Sequence, residues 1–295
     1  MRCLLNVNRK WAMRYIDKHP FLQEGHKITD DYLESTCLIK DVGIHYHYQN
    51  VDYGGTFADT GAKQKMQDLA LISQDHKCCY CMRDLSPQNQ QVTLEHIIPQ
   101  SASEAEFNGY TSKNVPYLTN QDIIRTGNFV GKPDIPICPR PHTVAFENLV
   151  ASCDGTFPDK VGYPHCCNLH RGNKTIYPMF FASNIDKEIT FTQDGSMHPV
   201  PHCTLLKEYS QTIFSLGLNC KTLKDIRRLW HLFKNVPYNI LLNCLYDKSL
   251  RDKTLKEVLY QNENFLEQDA YIHVKFLKDD YWGTFLLYKW FHQKL

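Results

Sequence analysis

The stretch CCYCMRDLSPQNQQVTLEHIIPQS, residues 78 to 101, places a close pair of cysteines ahead of an acidic residue and a histidine. Cys78 and Cys81 have the C-x2-C spacing of a zinc knuckle, in which a tight turn presents two thiolates to one ion. Glu95 carries a hard oxygen ligand of the kind that Mg²⁺ or Mn²⁺ accepts. The imidazole of His96 titrates near neutral pH and is able to act as a general base. The stretch therefore predicts a structural metal site beside a hydrolytic one.

The adjacency of Glu95 and His96 sets a geometric condition on the second site. Successive side chains of an extended strand point to opposite faces. We therefore expect the backbone to bend here if both residues serve one site, and Pro99 with the polar loop after it is consistent with an irregular segment.

A tetrahedral zinc site needs a second group of ligands. Cys153 is separated by a loop from the pair Cys166-Cys167, and a loop of this length is able to close on one ion because its entropy cost grows only logarithmically with length. Spacing alone leaves several rival ligands open, namely Cys79, Cys138, His165 and His170, and Cys166 against Cys167.

The bulk composition bounds the class of protein. The 295 residues are 42% hydrophobic and 22% charged, with a formal net charge of +1, so overall charge argues neither for nor against a nucleic-acid partner. The amino terminus lacks the pattern of a signal peptide, and no apolar run approaches the roughly 20 residues that span a bilayer. We therefore expect a cytoplasmic protein with no membrane partner. In a reducing compartment, clustered cysteines bind metal or do chemistry more often than they form disulfides.

The patterning along the chain predicts three regions. Residues 1–75 read as an α/β lead-in, with a strand where apolar and polar residues alternate over 42–48 and a helix over 61–75. Residues 76–175 are rich in loops, so we expect a cross-link such as a bound metal ion to stabilise them. Residues 176–295 begin with a strand-turn-strand over 188–200 and continue as helices, the second of which we expect Thr222 to cap.

Two asparagines complete a recognisable pattern. Asn148 lies in ENLVASC, and Asn168 follows Cys167 in CCNLHRGNK. Together with C-x2-C and E-H-I-I-P, in this order, the segment 76–175 resembles the HNH, or ββα-metal, endonucleases of the zinc-stapled type. The resemblance implies an α+β fold: a ββα-metal core with zinc knuckles, flanked by the α/β lead-in and a mainly helical carboxy-terminal region.

The resemblance also implies a role for each site residue. Cys78, Cys81, Cys153 and Cys167 would bind a structural zinc, with Cys167 preferred over Cys166 because it keeps the family's Cys-Asn adjacency. Glu95 and Asn168 would bind a catalytic Mg²⁺ or Mn²⁺, and His96 would deprotonate the attacking water. Asn148 would orient the His96 loop, and Arg171 would clamp a phosphate oxygen. The segment departs from the family pattern in two ways. The family more often has Asp or His in place of Glu95, and an insertion splits the second cysteine pair.

Outside this segment the likeness is thinner: a helix before the first knuckle, an apolar strand with a DG turn after the site, and an L-G-L-N-x3-L-x3-R helix from Leu216 to Arg227. These features resemble those of stand-alone HNH proteins of the Septu type, which act in bacterial antiphage defence beside an ABC-like ATPase, in some cases with a retron. The expected substrate is a nucleic acid, with DNA favoured and RNA such as tRNA as the alternative. A zinc-stapled binding module without catalysis is the competing function.

The carboxy-terminal region is expected to carry a partner interface. Arginine and aromatic side chains are enriched at protein interfaces. On that ground part of this region is predicted to dock onto the ATPase. The candidate residues are Arg227, Arg228, Trp230, Trp282, Phe285, Tyr288, Trp290 and Phe291.

Overall fold

The computed structural model describes residues 13–39, 45–85, 92–113, 115–126, 130–131, 139–157, 165–233, 236–260 and 285–286. The helices in these ranges are Leu22–Thr36 (α1), Thr56–Asp59 (α2), Ala62–Ser73 (α3), Glu104–Thr111 (α4), Cys167–Arg171 (α5), Ile185–Glu188 (α6), Leu206–Ser215 (α7), Lys221–Phe233 (α8), Tyr238–Tyr246 (α9) and Lys248–Tyr260 (α10). The strands are Leu38–Ile39 (β1), His45–His47 (β2), Val92–His96 (β3), Ile123–Ile124 (β4), Val130–Gly131 (β5), Arg140–Pro141 (β6), Leu149–Cys153 (β7), Ile189–Phe191 (β8) and Met197–Pro199 (β9).

The sheets formed by these strands are small, and the fold is a mixed α+β arrangement. β1, β2 and β5 form one antiparallel sheet, while β3 pairs with β7 and β8 with β9, also antiparallel. β4 and β6 make a short parallel pair. Within the described ranges no helix is both long enough and apolar enough to traverse a bilayer.

The β3–β7 pair lies at the centre of the functional region. Its register aligns Val92 with Cys153 and His96 with Leu149. All five residues of β7 are buried, because the apolar run LVASC packs against α3 and then meets α5. β3 is only half-buried, so its polar side chains reach one surface.

Helix α1 packs closely on the single 3₁₀ turn Phe146–Asn148 that leads into β7. A Cβ on Gly25 would lie 2.5 Å from Cγ of Phe146, so only glycine allows this approach. On the same face of α1, Ile28, Tyr32 and Leu33 are buried. The lead-in therefore supports the turn from which β7 begins.

Several sequence predictions for the elements are confirmed. The helix expected over 61–75 is α3, and the strand-turn-strand over 188–200 is the pair β8–β9. The helices after residue 203 are α7 and α8. The strand expected over 42–48 is present as β2, with residues 42–44 outside the described part. The boundaries of the three regions stay predictions.

The prediction that Thr222 caps the second carboxy-terminal helix is wrong. Helix α8 begins at Lys221, and the amide of Lys224 donates to the carbonyl of Cys220, which places the cap position at Cys220. Thr222 therefore lies within the first turn. Its buried hydroxyl has no hydrogen-bond partner in the described part of the chain.

Four of the residues predicted to form a partner interface are buried instead. Arg227, Arg228 and Trp230 are buried within this chain. Phe285 is fully buried, with its ring stacked on Trp230 at 4.2 Å between centroids. These side chains complete a core because the apolar face of α8 needs cover. The other candidates, Trp282, Tyr288, Trp290 and Phe291, lie outside the described residues.

Candidate metal centre and adjoining pocket

Four buried cysteines form one cluster: Cys78, Cys81, Cys153 and Cys167. Their sulfur atoms all lie within 4.8 Å of one another, with 3.9 Å between Sγ of Cys78 and Cys167 and 3.7 Å between Sγ of Cys81 and Cys153. Tetrahedral zinc with Zn–S bonds of about 2.3 Å separates its sulfurs by roughly 3.8 Å. The cluster is therefore compatible with a structural Zn²⁺.

The first two ligands come from a tight turn after α3. The amide of Met82 donates to the carbonyl of Cys78 at 3.0 Å, and Met82 adopts a left-handed φ of 64°. The amide of Cys78 donates in turn to the carbonyl of Arg83 at 2.9 Å. This closed turn directs both thiols of the C-x2-C pair to the same side.

The other two ligands come from the end of β7 and the start of α5. The loop between them closes at Gly155, whose φ is +90° and where a Cβ would lie 1.8 Å from the carbonyl oxygen of Cys166. Cys167 belongs to the four-sulfur set. Cys166 does not, although its buried thiol interacts with those of Cys81, Cys153 and Cys167. Cys138 lies outside the described residues.

An open pocket of about 290 Å³ adjoins the cluster. Of the predicted catalytic residues, Glu95, His96, Asn168 and Arg171 line it. Glu95 and His96 are the last two residues of β3, so the bend expected between them is absent, and the chain bends only at 97–98. Asn168 and Arg171 come from α5.

The tautomer of His96 follows from its hydrogen bonds. Its Nε2 lies 2.8 Å from the carbonyl oxygen of Thr143, which is able only to accept, so Nε2 carries the proton. Nδ1 is then the unprotonated nitrogen, and it lies 3.4 Å from Nε2 of the exposed Gln100. Burial lowers the pKa of His96 to about 3, which keeps the ring neutral. A neutral imidazole whose Nδ1 is an acceptor is the form a general base requires.

Glu95 and Asn168 form the oxygen-rich side of the pocket. Burial raises the pKa of Glu95 to about 7, although the Arg171 guanidinium, 3.9 Å away, opposes that shift. The Nδ2 of Asn168 faces the hydroxyl of Thr93 at 3.4 Å. A carboxylate held in a half-buried position gains strongly from a bound cation, because the ion replaces the lost hydration.

Asn148 lies behind the pocket, fully buried, and does not line it. Its Oδ1 accepts from the amide of Ile98 at 2.7 Å, and its Nδ2 donates to the carbonyl of Ile98 at 3.0 Å. Nδ2 also donates to the carbonyl of His142 at 2.8 Å. Asn148 thus holds the turn that follows His96, and its part in catalysis stays a prediction.

The geometry of Arg171 differs from that expected of a phosphate clamp. Its buried guanidinium donates to the carbonyls of His96 and Ile97, each at 2.6 Å. It also donates to the carbonyl of Lys174 and the hydroxyl of Tyr80. Four of its five N–H groups are therefore directed at this chain, and Arg171 fixes the backbone around His96.

Sequence reasoning missed residues that surround His96 in space. The carbonyl of Thr143 sets its tautomer, and the ring of Tyr53 packs edge-on against it with 4.5 Å between centroids. Lys63 lies over the ring of Tyr53, with Nζ 4.6 Å from the ring centroid. The contacts of His96 with Tyr53 and Thr143 join positions 43 and 47 residues apart, and no local motif marks them.

No protein-family model, no curated protein and no solved structure matches this chain.

Proposed function

We propose that this protein is a metal-dependent endonuclease of the zinc-stapled HNH kind. The observation that carries the proposal is the convergence of Glu95, His96 and Asn168 on one open pocket beside the four-cysteine cluster. A scaffold or a simple binding module needs no neutral, oriented imidazole next to two oxygen-bearing side chains.

The order of elements supports the proposal. β3 carries Glu95 and His96, β7 pairs with it antiparallel, and α5 follows with Asn168. Strand, strand and helix in this order are what a ββα-metal core requires. The cysteines lie at the outer ends of the same elements, so a zinc there would hold β7 and α5 to the knuckle after α3.

The donor set of the pocket fits a hard divalent cation. Glu95 offers a carboxylate, and Asn168 offers Oδ1 because its Nδ2 faces Thr93. Mg²⁺ or Mn²⁺ held there would stabilise the negative charge that develops on the phosphate and the leaving oxygen. His96 accepts the proton of the attacking water at Nδ1, while Thr143 stabilises the proton on Nε2. Asn148 and Arg171 hold the backbone that positions His96.

The biological setting is proposed on the sequence resemblance. The protein would act as the effector nuclease of a bacterial antiphage system, with an ABC-like ATPase as partner. DNA is the favoured substrate, since an HNH core contacts the phosphate backbone; structured RNA such as tRNA is the alternative.

One observation favours a second function. His96 is only 8% exposed and hydrogen-bonded, as a structural histidine would be. In that case the protein would be a zinc-stapled binding module without catalysis.

Plasmid nicking distinguishes the two functions. Purified protein is incubated with supercoiled plasmid and Mg²⁺ or Mn²⁺, beside His96→Gln, whose amide is able to keep the hydrogen bond to Thr143. The exposed His198→Gln is the control. We expect cleavage by wild type and His198→Gln and a loss of roughly 10²–10⁴-fold in His96→Gln. Equal cleavage by all three proteins would refute the role of His96. Binding without cleavage, also in the presence of the candidate ATPase, would favour the binding module.

A further inference from the structure

A pocket that accepts a phosphodiester needs positive charge that is free to contact the substrate. Among the described residues that line the pocket, Arg171 is the only arginine or lysine, and four of its N–H groups are directed at protein oxygens. A side-chain cation that supplements the proposed divalent ion must therefore come from outside this lining.

Lys63 is a cation outside the pocket lining that lies near His96. It is the second residue of α3, and its ammonium lies over the ring of Tyr53. The Tyr53 centroid is 4.6 Å from Nζ of Lys63 and 4.5 Å from the His96 centroid, which puts the ammonium within about 9 Å of the histidine ring. Consecutive phosphates of one strand are about 3.4 Å apart along the helix axis, so a cation at this distance reaches the scissile phosphate or a close neighbour.

Within the described part of the chain, Lys63 forms no ion pair. Across the described ranges, no carboxylate lies within ion-pair distance of its Nζ, and the first turn of α3 contains no acidic residue. A lysine in the first turn of a helix opposes the helix dipole, which makes this an unfavourable position for a purely structural cation. The contact with Tyr53 holds the half-buried side chain in place.

We infer that Lys63 binds a backbone phosphate of the nucleic acid next to the bond that is cut. Tyr53 contacts both the ammonium and the imidazole, so the lysine fixes the strand near the histidine, which remains available for water. The inference rests on the proposed nuclease function and names the substrate contact that Arg171 does not supply.

The salt dependence of binding tests this contact. A fluorescent 20-base-pair DNA duplex is titrated with full-length protein at several salt concentrations, without divalent metal so that no cleavage occurs. The variants are Lys63→Gln, Lys63→Arg and the exposed Lys65→Gln on the same helix. We expect Lys63→Gln to weaken binding several-fold and to reduce the slope of log K against log salt by about 0.9. Lys63→Arg keeps the wild-type slope, and Lys65→Gln changes it little.

Other outcomes overturn the inference. If folded Lys63→Gln keeps the wild-type slope of log K against log salt, Lys63 does not contact a phosphate. If Lys65→Gln weakens binding as much as Lys63→Gln does, the contact is not specific to Lys63. A lower melting temperature of Lys63→Gln with wild-type binding assigns the lysine a structural role through Tyr53. Wild-type protein that does not bind the duplex also overturns it. Failure of the proposed function looks different, because plasmid cleavage would then be absent while the Lys63-dependent slope persists.

Discussion

The side chain of Asn148 makes two hydrogen bonds with the backbone of Ile98, accepting from its amide at 2.7 Å and donating to its carbonyl at 3.0 Å. This pairing joins the turn before β7 to the turn after β3. Ile98 lies two residues beyond His96. The position of the His96 imidazole therefore depends on Asn148, which does not line the pocket.

Replacement of Asn148 should affect both stability and activity. Asn148→Ala leaves the amide of Ile98 and the carbonyls of Ile98 and His142 buried without their partner, and we expect unfolding to become easier by about 2 to 3 kcal/mol. Cleavage should fall with zinc still bound. Urea denaturation, zinc content and plasmid nicking check this, with the exposed Asn108→Ala as the control. Wild-type cleavage by Asn148→Ala would show that His96 is positioned without it.

The two neighbouring cysteines should respond differently to substitution. We expect one zinc per chain in the wild-type protein and in Cys166→Ser, since Cys166 lies outside the four-sulfur cluster. Cys167→Ser should lose most of its zinc at moderate chelator concentration and melt at a lower temperature, because metal binding there contributes to folding. Elemental analysis and thermal melts measure both effects. Zinc loss in Cys166→Ser with retention in Cys167→Ser would reverse the assignment.

Lys18 should make stability depend on pH. Its fully buried ammonium donates to the carbonyls of Phe146, Glu147 and Leu149, yet burial lowers the pKa of Lys18 to about 7 from 10.5. Below pH 7 the lysine is protonated in both the folded and the unfolded chain, so the folded chain bears the full free-energy cost of burying the charge. Between pH 7 and 10.5 the unfolded chain keeps a proton that the folded chain has released. Stability therefore rises with pH in this window, by at most about 1.4 kcal/mol per pH unit.

The difference between wild type and Lys18→Met isolates this effect, because the other titrating groups are common to both proteins. Free energies of unfolding are measured at pH 7 and pH 9. We expect the wild-type protein to gain stability relative to Lys18→Met as the pH rises. No gain would mean that the three carbonyls keep the ammonium protonated throughout.

Phe285 should behave as a core residue. It stacks on Trp230, and the indole Nε1 donates to its carbonyl at 3.2 Å. Phe285→Ala should reduce the free energy of unfolding by about 3 kcal/mol. The control Phe214→Ala, at a side chain that is 72% exposed, should change it by less than about 0.5 kcal/mol. Intact stability of Phe285→Ala with loss of binding to the ATPase would restore Phe285 to the expected partner interface.

Local chemistry alone was enough to predict much of the metal centre. The C-x2-C turn needs only four consecutive residues, and thiolates in a short turn have few other uses in a reducing compartment. The turn QDGS between apolar segments likewise predicts the β8–β9 hairpin, because its glycine, Gly195, takes the φ of +81° that the turn needs. Glu95, His96 and Asn168 were predicted from residue type and order, and their roles stay predictions.

The tertiary structure decided what depends on contacts between distant positions. Spacing alone left Cys166 and Cys167 open and the family resemblance favoured Cys167; in the folded chain Cys167 belongs to the four-sulfur cluster and the Cys166 thiol lies beside it. Arg171 is a surface cation by residue type, but α5 packs it under residues 96 and 97, where their carbonyls accept its N–H groups. Thr143 contacts His96, and Lys63 lies near it across Tyr53, only because the turn before β7 and helix α3 pack there. The sequence by itself determined which chemical groups this protein has and their local turns, whereas burial and long-range hydrogen bonds determined which of those groups remain free to act.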